Sequence, residues 1–220
     1  MPGAWELRNQ TSVLCCILHT ELVTMAWSLG FRNLQIPGGV LPLTAQPFDD
    51  LRNIGCQKTL ECGAEWCFML DSDVIPPHDA VLRLLAHRKP LISGIYHRRS
   101  PPVGIPVMQR GGRWVTEFLA NAVIEVDVVG AGCLLIHRSI LERLPESRPG
   151  HHWFDWRVNL QGRGIYENYK CTSEDFAFCY RVKEILGIPT LVDTSIQCRH
   201  AGFSQATYGR LDALDVAANT

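Results

Sequence analysis

The chain has 220 residues, 46% hydrophobic and 20% charged, and its 21 Lys and Arg against 22 Asp and Glu give a formal net charge of -1. That length fits one well-buried domain. The near-neutral balance, with a pI ≈ 6.7, supplies no global basic field for nucleic acid or an anionic membrane. No apolar run approaches the roughly 18 residues of a transmembrane helix, and the N-terminus MPGAWELRNQ lacks a basic segment leading into a secretory core. The nine cysteines show no C-x-x-C and no regular framework, so a reducing, cytoplasmic compartment is expected.

Taken in order, strand and helix patterns alternate. Ser12 to Leu18 reads as a buried first strand, His19-Thr20-Glu21 as the loop at its end, and Leu22, Met25, Ala26 and Leu29 as a helical face stopped by Gly30. Phe31 to Leu43 is a predicted second strand interrupted at Pro37-Gly38-Gly39. Phe48 to Gly63 is a helix with Asp49 or Asp50 near its start and Arg52-Asn53 in its first turns. Trp66 to Leu70 is an apolar run bounded by acids, which predicts a short strand buried on both faces that carries Asp71 and Asp73 out at its C-terminal end.

Pro76-Pro77 opens a further helix with Val81, Leu82, Leu84 and Leu85 on its buried face, and Leu91 to Tyr96 is a strand ending in the basic loop His97-Arg98-Arg99. Val107 to Phe118 reads as a hairpin turning at Gly111-Gly112. Ala122 to Val129 is a strand broken by Gly130-Ala131-Gly132 and resumed over Cys133 to Ile136, before a helix from Arg138 to Leu144. The segment from Glu146 to Lys170 is long and rich in aromatics, among them Trp153 and Trp156, and reads either as a binding loop or as a satellite core. Glu174 to Leu186 is a helix capped by Thr172 or Ser173 and closed by Gly187, and Pro189 to Ile196 is a strand leading to His200. The alternation predicts a single α/β domain over 1–220, core about 12–202 with a polar tail after 208, whose central sheet is mainly parallel and which carries one small antiparallel hairpin.

In extended chain the two-residue spacing of Asp71 and Asp73 turns both carboxylates to one side, at a sheet edge where open α/β folds bind ligands. Such a pair suits Mg²⁺ or Mn²⁺ held together with a substrate's phosphates. A bare D-x-D is also met where the first Asp caps a turn and the second is solvated. Acids at a helix start, as in Glu174-Asp175, are equally favoured by the helix dipole.

Arg52-Asn53 ahead of a strand ending in DSD (Asp71, Ser72, Asp73), VDVVGAGCLLIHR from Val126 to Arg138, SEDFAFCYRV from Ser173 to Val182 and a late His200 together resemble the GT-A glycosyltransferases, most closely the small family-2-like enzymes. The resemblance implies a GT-A, Rossmann-like domain. It implies Asp73 as direct metal ligand, Asp71 on the ribose or on the metal through water, and His200 completing the coordination of Mn²⁺ or Mg²⁺. Asp71, Ser72, Arg52 and the loop His19, Thr20, Glu21 fall where the family holds the nucleotide. That loop departs from the family's proline-containing one, and Arg52 could equally pair with Asp49 or Asp50 or be solvated. The resemblance also implies transfer from a nucleotide-diphospho-sugar donor to a carbohydrate or other hydroxyl acceptor. In its inverting members the general base stands at the position of Asp175, beside Glu174. Gly130, Ala131 and Gly132, with Trp153 and Trp156, are the expected substrate contacts. The competing expectations are a non-catalytic nucleotide-sugar or carbohydrate-binding module and a metal-dependent phosphohydrolase.

Overall fold

The computed structural model describes residues 12–99, 104–147, 152–156 and 173–201. Its elements in chain order are β1 (Val13–Leu18), α1 (Met25–Asn33), β2 (Gly38–Leu43), α2 (Phe48–Glu61), β3 (Trp66–Asp71), β4 (Val74–Ile75), α3 (Ala80–Ala86), β5 (Leu91–Ile95), β6 (Met108–Arg110), β7 (Arg113–Trp114), β8 (Val123–Val126), β9 (Val128–Val129), β10 (Cys133–His137), α4 (Arg138–Arg143), α5 (Glu174–Leu186), β11 (Thr190–Gln197) and β12 (Arg199–His200). A seven-stranded sheet runs β2-β1-β3-β10-β5-β11-β8. Strands β1, β2 and β3 are mutually parallel, β5 is parallel to β11, and only β10 and β8 run against their neighbours. The sheet is therefore mainly parallel, as the alternation predicts.

Strand β3 shows why its sequence is apolar without a break. Cys67 and Met69 point into one core layer with Leu51 of α2, Ile140 of α4 and Phe178 of α5, whereas Trp66, Phe68 and Leu70 point into the other with Trp27 of α1 and Val81 and Leu84 of α3. A strand covered by helices on both faces has no solvent side on which a polar residue could alternate.

Several expectations are corrected. Helix α1 does not stop at Gly30 but runs to Asn33, started by Thr24, whose hydroxyl accepts from the Trp27 N–H at 3.1 Å. Gly30 is needed for close approach, because a Cβ there would sit 2.5 Å from Ile75 Cγ2. The buried face is also rotated from the predicted one: Trp27 points inward and donates its indole N–H to Asp71 O at 3.1 Å, while Leu22, Met25 and Leu29 are exposed. The second strand does not begin at Phe31. It starts at Gly38, where a Cβ would fall 2.0 Å from Val13 O, and it tolerates Pro42 because it lies at the sheet edge. The helix after Pro76-Pro77 begins only at Ala80, with Leu82 exposed.

The predicted strand from Ala122 to Val129 is divided between two sheets, β8 joining the central one and β9 pairing with β6 in the small antiparallel β7-β6-β9 sheet. The two-residue strands β4 and β12 pair antiparallel and set His200 opposite Val74. The expected Thr172 cap, the aromatic segment beyond Trp156 and the polar tail lie outside the described residues. Among those described, no helix is long and apolar enough to cross a membrane.

Candidate active site

The C-terminal ends of β1 and β3 define the site. Strand β3 ends at Asp71, and Ser72 donates its N–H to Leu18 O at 2.9 Å, so the chain folds into a turn at Ser72-Asp73. The two carboxylates of the D-x-D therefore share a cleft through that turn and not through strand alternation.

Asp73 is met from two sides. The β4–β12 ladder and the Ala201 N–H, 2.6 Å from Asp73 O, bring His200 alongside. His200 Nδ1 lies 2.6 Å from His97 O, and a carbonyl can only accept, so Nδ1 carries the proton and Nε2 is directed at Asp73 Oδ2, 3.4 Å away. The edge of Tyr96 braces the imidazole, ring centroids 5.3 Å apart. From the other side Arg99 donates Nη2–H to Asp73 Oδ2 at 2.5 Å and Nη1–H to Ala201 O at 2.8 Å. Burial alone would raise the Asp73 carboxyl, but a charged His200 imidazolium and Arg99 outweigh it and hold it below the usual range.

Beneath the turn lies a buried charge cluster. Arg52, one helical turn into α2, donates Nη2–H to Asp71 Oδ1 at 3.1 Å and Nε–H to Glu174 Oε1 at 3.0 Å, and its plane lies over the Phe154 ring at 5.9 Å. It pairs with neither Asp49 nor Asp50 and is not solvated, being only 3% exposed. Burial opposes its charge, yet Asp71, Glu174 and Asp175 together raise its pKa. The acids outnumber the cation, and the excess is visible in them. Burial, followed by Asp175, pushes Glu174 up to about 7, and burial raises Asp71 against the pull of Arg52.

Asp175, the second residue of α5, accepts from Ala131 N–H at 3.1 Å on Oδ2 and from Phe176 N–H at 2.8 Å and the Ser173 hydroxyl on Oδ1. It thereby ties the Gly130-Ala131-Gly132 loop to the helix. The tight approach that this loop makes is to Tyr96 and Asp71: a Cβ on Gly130 would lie 2.0 Å from Tyr96 Oη, and one on Gly132 would lie 3.0 Å from Asp71 Oδ2. Gly132 N–H donates to Tyr96 Oη at 3.2 Å, and burial raises the phenol pKa.

Above these groups opens a cleft of ≈ 260 Å³. Of the residues expected there, Thr20, Asp71, Ser72 and Asp73 line it. His19 turns its Nδ1 to Thr20 O at 2.8 Å, and Glu21 is exposed. Trp153 is core and not a cleft wall: it is buried and gives its indole N–H to Leu141 O at 3.0 Å. Trp156 is half-exposed at the edge of the described residues. The sequence reading overlooked the apolar wall of Leu22, Val23 and Phe48, and it also overlooked Arg99. The signal available for that wall was Leu22-Val23, an apolar pair set directly after the polar loop His19-Thr20-Glu21.

The donor set of Asp73 Oδ2 and His200 Nε2 suits a divalent cation. Cis ligands of an octahedral Mg²⁺ at about 2.1 Å stand roughly 3 Å apart, near the observed 3.4 Å. The Nδ1–H bond to a carbonyl is the second contact by which ligating histidines are oriented. Among the described residues no group of three or more His, Cys, Asp or Glu side chains is gathered to hold a metal, so those residues could offer a cation this pair alone.

No protein-family model matches the chain, and no curated protein matches it in sequence. Solved structures do. A197 from STIV superposes with a TM-score of 0.59 at 20% identity, covering 86% of this chain and 84% of that one. GalNAc-T7, solved with UDP, GalNAc and Mn²⁺, superposes with a TM-score of 0.52 at 12% identity, and the match covers 88% of this chain but 44% of GalNAc-T7. The fold is thus GT-A-like, a mixed α/β architecture shared with A197 and with GalNAc-T7.

Proposed function

We propose that this protein is a metal-dependent glycosyltransferase that moves a sugar from a nucleotide-diphospho-sugar to an acceptor hydroxyl, with inversion at the anomeric carbon. The observation that carries the reading is the convergence of Asp73 Oδ2 and a His200 Nε2 whose tautomer is fixed by His97 O, at the strand ends of a GT-A-like sheet. The likeness to GalNAc-T7, solved with UDP and Mn²⁺, supports the same ligand class. Asp73 and His200 would hold Mn²⁺ or Mg²⁺, with Asp71 in support, and the cation would neutralise charge developing on the leaving diphosphate.

The protein's own groups divide the remaining work. The wall of Leu22, Val23 and Phe48, with Thr20 and Ser72, presents an apolar face with hydroxyls, which suits a nucleobase and ribose. Asp175 has two oxygens with about four lone-pair sites, of which three are occupied by Ala131, Phe176 and Ser173, so one remains to take the acceptor proton as the hydroxyl oxygen attacks the anomeric carbon. Glu174 is held by Arg52 and positions the acceptor side from beneath.

Release of nucleoside diphosphate from a panel of nucleotide sugars, with and without acceptors, tests the proposal. Binding without release would identify a non-catalytic module, and phosphate released from simple esters would identify a phosphohydrolase.

A further inference from the structure

We propose that Arg99 is an internal counter-ion for the cation position: it occupies Asp73 in the ligand-free protein and transfers to the diphosphate when donor and metal bind. The inference rests on the donor-site reading above. Asp73 Oδ2, the oxygen facing His200 Nε2 at 3.4 Å, is also the oxygen that receives the Arg99 guanidinium at 2.5 Å. The other arm of the fork is anchored at 2.8 Å on the carbonyl oxygen of Ala201, the residue after His200, so the guanidinium is held beside the Asp73–His200 pair at both ends. A divalent cation reaching both ligands would meet a positive charge already seated on one of them, and like charges at a few ångströms repel.

The arrangement is built to exchange. The Asp73 and Arg99 side chains are 34% and 38% exposed, and ion pairs at that exposure are weak and readily traded. Arg99 is also the one cationic side chain among the described residues lining the cleft, since Arg52 is buried and clamped by two carboxylates. A diphosphate entering the cleft therefore has this one cationic side chain among the described residues to recruit, and a guanidinium fork matches phosphate oxygens. Each Arg99–phosphate contact frees Asp73, so nucleotide and cation promote each other's binding while either alone binds poorly.

The test is Mn²⁺ binding followed by the electron paramagnetic resonance of the free ion, on the wild-type protein and on Arg99→Gln, with and without UDP. We expect Arg99→Gln to bind Mn²⁺ alone roughly tenfold tighter, the size expected from removing one positive charge a few ångströms from a divalent ion. The same variant should lose most of the enhancement that UDP confers in the wild type. Arg99→Lys keeps the charge without the fork and should remain close to wild type for Mn²⁺ alone while binding UDP more weakly. It carries the test if Arg99→Gln does not fold, in which case UDP affinity equal to wild type overturns the inference. Mn²⁺–UDP binding by the wild type with Mn²⁺ affinity unchanged or weakened in Arg99→Gln overturns the counter-ion role alone. No Mn²⁺ binding by either protein with UDP present overturns the donor-site reading and the counter-ion role with it.

Discussion

Arg52 and Glu174 are separated by 122 residues of chain and by 3.0 Å in space, and the pair joins α2 to α5 underneath the Asp71 carboxylate. Removing the cation would leave Asp71 and Glu174 buried without it. Arg52→Met is expected to destabilise the fold by about 3–5 kcal/mol, the range for breaking a buried ion pair. Urea denaturation would measure the loss, and adding Glu174→Gln should recover part of it by deleting one orphaned charge.

Glu174 also sets a pH dependence. Burial, then Asp175, raises it from the ordinary value of 4.5 to about 7 in the folded protein. Between those values the folded state holds a proton that the unfolded state has released, so this contribution to stability is complete below about pH 4.5 and is lost as pH rises through about 7. His97, lowered by burial and then by His200, acts in the opposite direction below its ordinary 6.5. Denaturation midpoints across pH 5 to 8 should therefore show a downward component in the wild type that Glu174→Gln removes. A slope equal in the two proteins would refute it.

The architecture was largely legible because it follows from local patterns. The apolar β3, the Gly187 stop of α5 at φ 67° and the alternation of strand and helix each depend on residues close in sequence. What escaped was set at a distance. The buried face of α1 was misread because Leu22, Met25 and Leu29 mark out a helical stripe, while the orientation is decided by Trp27 reaching Asp71 O and by the fit of Gly30 on Ile75. The three clusters at Asp71–Asp73, Glu174-Asp175 and His200 were identified by type, and the structure gathers them. Their wiring through Arg52, Tyr96 and Arg99 depends on pairings such as β4 with β12, two residues long and without any periodicity to read.

The proposed cation position can be tested at Asp73 and His200. Asp73→Asn and His200→Ala should each weaken Mn²⁺-dependent UDP binding by at least about tenfold, the lower end of what losing even an outer partner of a metal ligand costs. Calorimetry before and after chelation would measure this. Nucleotide binding that is equally tight with a chelator present would remove the metal from the account.

Asp175→Asn should lower turnover by about 10² to 10⁴-fold with donor affinity nearly unchanged. Because Asp175 also receives the Ala131 and Phe176 N–H groups, the thermal midpoint of the variant must be compared alongside. The anomer of the product decides the role: retention of the donor's configuration would reassign Asp175 to positioning the acceptor.

A packing test reaches the Gly130 loop. Gly130→Ala places a methyl 2.0 Å from Tyr96 Oη and is expected to cost about 1–3 kcal/mol, the range for forced overpacking. In a Tyr96→Phe background the penalty should shrink but persist, because Val107 Cγ1 also stands 2.8 Å away. Equal penalties in both backgrounds would show that the Tyr96 hydroxyl is not the obstacle.

Seven of the eight cysteines among the described residues are buried, and only Cys62 is exposed. Burial, with Cys67 and Cys133 adding, raises the Cys15 thiol pKa, so it resists ionisation as well as contact with reagent. The chain thereby carries its own reporter of opening. A thiol reagent should label Cys62 at once, and the interior thiols only when the sheet and its helices part, so the slow phase of labelling counts excursions out of the native state without any introduced probe.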